Sequence, residues 1–110
     1  MSEVDAVNEV VLVGRLSGYA EKELPSGDTA ATFRVIVDRA ARDRGPAGKV
    51  LVDALDCVTW RAQVRRRLST MDDGTWVRVE GALRRRFWQA AGAPASRAEV
   101  DVREVQRMRP

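Results

Sequence analysis

Histidine is absent from the 110 residues and cysteine occurs once, at Cys57. That excludes Cys/His zinc sites, an intramolecular disulfide and any nucleophile activated by an imidazole. Cys57 lies among alternating strand residues and reads as a buried, inert thiol. No run approaches the ~18 apolar residues of a membrane span, and Met1 to Val7 carries no apolar signal segment, so the chain reads as cytoplasmic. A phosphate loop is missing as well. In Gly45-Pro-Ala-Gly48-Lys49-Val50 the glycines are too close together, and Val50 stands where Ser or Thr must reach a metal. Asp53 and Asp56, at odd spacing in a strand, face opposite ways and make a poor acid/base pair. With no metal ligands and no cofactor signature, an enzyme is disfavoured. Aromatics are scarce, with three Trp, two Phe and one Tyr, and lysine is nearly missing, since 17 of the 19 cationic residues are Arg.

What remains is a hydrophobic content of 45% in a chain long enough for one core, so one domain over residues 1–110 is the default. The net charge of +3 is unevenly placed. Cys57 to Trp88 holds eight Arg against Asp72, Asp73 and Glu80, a local balance of +5 that leaves the rest slightly acidic. Such asymmetry favours a polyanion bound by one region. The densest part is Gly81-Ala-Leu-Arg-Arg-Arg-Phe-Trp-Gln89, three arginines and two aromatics along one long strand. Guanidinium groups track phosphates and flat rings stack on unpaired bases, a composition suited to single-stranded nucleic acid. By strand alternation Arg84, Arg86 and Trp88 share one face, and Leu83, Arg85 and Phe87 the other. Compositional bias toward Arg is the competing explanation for part of this run.

Val7 to Leu16 reads as a first strand ending at the Ser17-Gly18 turn signal. After the Pro25-Ser-Gly-Asp28 turn, Thr32 to Val37 reads as a second, with Phe33, Val35 and Val37 on one face and Arg34 and Ile36 on the other. Arg39 to Lys49 is an exposed loop, and Val50 to Trp60 a third strand. Val64, Leu68 and Met71 recur at i, i+4 and i+7, which predicts a short amphipathic helix closed by Asp72-Asp73-Gly74. Arg65-Arg66-Arg67 fans over roughly 200° of that helix, so a solvated face and phosphate contact are equally good accounts of it. Trp76 to Trp88, bent at Gly81, is a fourth strand, and Ala98 to Val105 a fifth, joined by a loop over Ala90 to Ser96. Three strands, a helix and two strands is the layout of the OB fold, an all-β, five-stranded Greek-key barrel with one short α-helix between strands three and four.

Asn8-Glu-Val-Val-Leu-Val-Gly-Arg-Leu16, Pro25-Ser-Gly27 leading to Phe33, Val58-Thr-Trp60, and Gly74, Val77, Val79-Glu-Gly81-Ala-Leu-Arg84 with Arg86 and Trp88 resemble the DNA-binding domain of bacterial single-stranded DNA-binding proteins. The resemblance spans roughly Val7 to Val105. It implies a homo-oligomer, tetramer before dimer, that binds single-stranded DNA without catalysis, cofactor or strong sequence preference, in an accessory role in replication, recombination or repair. On that resemblance Trp60 and Trp88 stack bases, and Arg84 and Arg86 contact phosphates beside them. Arg15 and Arg34 complete the candidate nucleic-acid contacts, and Trp76 and Arg78 stand where the family makes contacts between subunits. Two further stacking positions, near Ala40 and at Ala54, are alanine, Asp72 and Asp73 replace a basic pair, and Glu9 stands where Lys is common. The family carries a flexible tail ending in acidic residues and Phe that recruits other enzymes. Here the chain stops at the basic Gln106-Arg-Met-Arg-Pro110, as in a tailless paralogue or a truncated chain. A protein-interaction OB subunit of a replication or restart assembly, with weak DNA binding, is the alternative.

Overall fold

Alternating inward valines decide the architecture. The computed structural model describes residues 3–110; Met1 and Ser2, part of the stretch read as free of a signal segment, lie outside the described residues. Its elements are β1 (Val10–Glu23), β2 (Thr29–Asp38), a 3-10 turn (Ala41–Asp43), β3 (Val52–Thr59), α1 (Ala62–Ser69), β4 (Trp76–Ala90) and β5 (Ala93–Arg107). The strands close into a barrel in the order β1-β2-β3-β5-β4, antiparallel throughout except where β3 meets β5. This is the expected OB-type barrel with its helix between the third and fourth strands.

Phe33 and Val35 from β2, Cys57 from β3, Val77 and Val79 from β4, and Val100 and Val102 from β5 fill the interior at period two. Burying each such side chain contributes roughly 1.5–3 kcal/mol. Val64 and Leu68, one helical turn apart, carry α1 onto this core. Met71 packs on the same core from beyond the helix, so the periodic signal outlasts the helix itself.

Several boundaries differ from those read in the sequence. The first strand does not end at Ser17-Gly18 but runs to Glu23, because Gly18, at φ +67°, absorbs a bulge between Ser17 and Ala20. Asp72 and Asp73 do not close α1, which stops at Ser69 with Thr70 as its C-cap. They sit in the following turn, where the Asp73 carboxylate accepts a hydrogen bond from the Gly18 amide at 3.1 Å and pins that bulge. Two acids therefore avoid the negative end of the helix dipole, which Arg66 and Arg67 occupy instead.

The largest correction lies between the last two strands. Ala90 to Ser96 is not a loop: β4 and β5 stay paired out to Ala90↔Ala93, leaving only Ala91 and Gly92 as the turn. Both have positive φ, 48° and 80°, the backbone a two-residue hairpin turn needs to match strand twist. Pro94 is tolerated because this end of the ribbon has lost its neighbours in the barrel and runs as a free edge. The bend expected at Gly81 is present as a register shift between Glu80 and Gly81. A Cβ at Gly81 would collide with the Asp101 carbonyl oxygen, so a side chain there would push β4 off β5.

Candidate nucleic-acid interface

From Leu83 onward every residue of β4 is exposed, so the β4–β5 pair leaves the barrel wall as a two-stranded arm. Asn8 holds its base: the side-chain amide donates to the Leu83 carbonyl at 2.7 Å and its oxygen accepts from the Leu83 amide at 2.8 Å. One face of the arm carries Arg84, Arg86 and Trp88, opposite Glu99, Arg97 and Ala95 respectively. The Arg86 guanidinium lies over the Trp88 ring, 5.4 Å from its centroid. Such a contact pre-sets the indole as a platform while leaving guanidinium donors free.

Beneath them lies Glu99, only 6% exposed, 3.7 Å from both Arg86 and Arg97, while Arg84 reaches Asp101 at 3.9 Å. These separations exceed hydrogen-bond length, and one Glu99 carboxylate oxygen has no hydrogen-bond donor. Long pairs of this kind fix arginine direction and contribute little energy, because solvent screens the exposed partner. The three guanidiniums are aligned on one face yet keep donors for an incoming phosphate.

Arg34 projects from the outer face of β2 and bonds Asp56 of β3 at 3.2 Å. It shares a shallow groove with Asp56 and Arg97, so the arm continues into the barrel wall. Arg97 falls between the loop expected to end at Ser96 and the strand expected to begin at Ala98, so the sequence alone assigns it no face. Once that segment is strand, Arg97 alternates with Glu99 and Asp101 and its face is evident.

Trp60 follows β3 directly and is 50% exposed, so it is no core residue. Its backbone is held from behind: the Thr59 hydroxyl donates to the Val102 carbonyl at 2.9 Å and accepts from the Arg61 amide at 3.3 Å. Its ring borders a recess shared with Gly27, Asp28, Thr29, Ala62 and Arg65, under the β1–β2 turn. Ala40 and Ala54 are exposed and offer no ring. In the triple-arginine run, Arg65 pairs with Glu21 at 3.6 Å and Arg67 donates to the Val105 carbonyl at 3.0 Å, so two of the three are tied to the fold.

Arg15, grouped above with the nucleic-acid cations, stands elsewhere. It pairs across β1 and β4 with Trp76, its guanidinium 5.2 Å from that ring's centroid, and grips Asp38 through two bonds of 3.0 and 3.1 Å. That grip holds the Asp38 carboxyl below its ordinary value of 3.8. On the same outer face Arg78 bonds Glu80 at 2.6 Å, and Val11 and Val13 are exposed. Trp76 and Arg78 thus share a partly apolar patch with Arg15, distinct in composition from the arginine-lined arm.

Burial pushes the Cys57 thiol up to about 12, with Asp56 and Glu99 adding to the effect. Among the described residues no group of three or more His, Cys, Asp or Glu could hold a metal ion, and no helix is long and apolar enough to cross a membrane.

Comparison with known proteins shows the family and the fold. The chain is 33% identical over 106 residues to single-stranded DNA-binding protein A of Bacillus subtilis, an alignment covering 94% of this chain and 60% of that protein. It is 36% identical over 101 residues to the single-stranded DNA-binding protein of Treponema pallidum, covering 91% and 57% respectively. The chain therefore spans somewhat more than half the length of these relatives. A solved structure described as a Plasmodium falciparum SSB complex with ssDNA shares the fold at a TM-score of 0.78, with 22% identity, covering 98% of this chain and all of that one. The profile of the single-strand binding protein family matches residues 7–108, and the chain belongs to that family.

Proposed function

We propose that this barrel is a single, non-catalytic domain that binds single-stranded DNA with little sequence preference, in the cytoplasm, in an accessory role in replication, recombination or repair. The observation that carries the reading is the exposed face of the arm, where Arg84, Arg86 and Arg97 share one face with Trp88 and Arg97 borders the groove that holds Arg34. Rings stack on bases of any identity, and guanidiniums contact the backbone common to all sequences, so this face has no means of strong base readout. Trp60 adds a second platform at the β1–β2 turn. The relatives named for single-stranded DNA binding support the same ligand.

Assembly belongs to the other face. Trp76, Arg78, Arg15, Val11 and Val13 form a patch of the mixed aromatic, arginine and aliphatic kind that subunit interfaces favour, and a homo-oligomer, tetramer before dimer, is proposed through it.

Exposed Ala40 and Ala54 and the acids among the arginines favour a second reading, a protein-interaction subunit whose DNA binding is weak. Titrating oligo(dT), a matching RNA and a duplex of equal length at two salt concentrations separates the two. The first reading expects preference for the single strand, with log K falling against log salt by about 0.7 per phosphate neutralised. Equal affinity for duplex, or no binding at low salt, would transfer the argument to the second.

A further inference from the structure

The arm has two faces, and the function proposed above uses only one. The other carries Leu83, Arg85 and Phe87 from β4, opposite Val100, Ala98 and Ser96 of β5. Phe87, opposite the small Ser96, is 71% exposed, and Leu83 is 51% exposed. Between the two apolar side chains, Arg85 donates to the Ser96 hydroxyl at 3.2 Å.

Charge separates the faces. Arg84, Arg86 and Arg97 each have a carboxylate within 4 Å, whereas Arg85, among the described residues, has none. The back of the arm is therefore the less neutralised side. One guanidinium without a carboxylate neighbour, beside an uncovered phenyl ring, matches a ligand with backbone anions and flat apolar groups. A second copy of the chain seated with its two-fold axis at Arg85 would bring two unneutralised guanidiniums together, which disfavours that arrangement. A two-stranded ribbon is also narrow, its strands about 4.8 Å apart, so one flexible strand can cross its edge and touch both sides.

We propose that the back of the β4–β5 arm is a second contact surface for the same single-stranded DNA, with Phe87 as a base-stacking platform and Arg85 as its phosphate contact. The inference rests on the single-strand reading above and extends it to a strand that wraps the arm rather than lying on one side.

The test compares wild type, Phe87→Ala, Phe87→Tyr and Arg85→Ala on a long oligo(dT), with light scattering and thermal melting on the same samples. Phe87→Ala should weaken binding about tenfold with an unchanged melting temperature, and Phe87→Tyr, which keeps the ring, should bind like wild type. Arg85→Ala should reduce the salt slope by about 0.7. Wild-type affinity and slope in Phe87→Ala and Arg85→Ala would overturn this proposal and leave the single-strand reading standing. Absence of binding by wild type would instead remove the reading beneath it. Loss of oligomer in Phe87→Ala with DNA affinity intact would assign the face to a second copy and also overturn the proposal.

Discussion

Arg86 stacks its guanidinium on the ring of Trp88, 5.4 Å from the ring centroid, while the carboxylate of Glu99 lies 3.7 Å from the same group. The cation is thus oriented by a ring beside it and an acid beneath it, and what it presents outward is its remaining N–H donors. Alternation along β4 and β5 produces this triad without any loop, so the platform rests on a hydrogen-bonded ribbon.

Trp88 and Trp60 are both substantially exposed, which separates their loss from a loss of core. Trp88→Ala and Trp60→Ala should each lower affinity for oligo(dT) by about 1–3 kcal/mol and leave the melting temperature nearly unchanged. Leu68→Ala, which empties a fully buried position, should cost about 2–5 kcal/mol of stability. Titration and melting of all three variants check the contrast, and full-strength binding by a folded double Trp variant would remove both rings from the interface.

Arg97 and Glu99 predict opposite changes. Arg97→Ala should weaken binding and reduce the magnitude of the salt slope by about 0.7, the share of one phosphate contact. Glu99→Gln removes a negative charge from beneath two guanidiniums and should tighten binding a few-fold at low salt. If both variants bind as wild type does, the groove from Arg34 to the arm is not on the path of the strand.

On the Trp76 face, Trp76→Glu places a charge in a patch formed with Arg15, Val11 and Val13. Assembly should weaken at least tenfold, roughly the cost of losing an interface hot spot, while each protomer keeps its fold. Light scattering across a concentration series reads this directly. A monomeric wild type would refute the interface.

Acid should loosen the barrel through its arginine-held carboxylates. Hydrogen bonds from Arg15, Arg39 and Arg78 hold Asp38, Asp53 and Glu80 below their ordinary values of 3.8, 3.8 and 4.5. A carboxylate depressed in the folded state binds fewer protons than when unfolded, so its contribution is complete above the unfolded value and disappears as pH falls through the folded one. Stability should therefore decline as pH drops below about 4. Arg15→Ala and Arg39→Ala should each flatten that decline, measured by urea unfolding from pH 7 to 3.

Much of the barrel was legible along the chain because its inward residues repeat at period two and its helix at 3.6, patterns that depend only on local backbone geometry. Phe33 and Val35, Val64 and Leu68, and the outward set of Arg84, Arg86 and Trp88 were all readable on that basis. Strand ends were not, since a glycine or proline marks a turn only if no partner strand continues past it. Gly18 became a bulge because β2 kept pairing, and Pro94 entered a strand because the pairing with β4 extended to Ala93. The same pairing put Arg97 in β5, on the face that carries Arg84, Arg86 and Trp88.

By itself the sequence determined a small β-rich chain with arginine and tryptophan concentrated on one strand, and it excluded zinc ligation and imidazole chemistry. Only the tertiary structure decided which cations stand together. Arg15 went to Trp76 and Asp38, Arg67 to a backbone carbonyl, and Arg97 to the arm, because barrel closure and hairpin register join residues far apart in the chain. Spacing along one strand cannot encode such neighbours. They follow from which strands pair, and in what register.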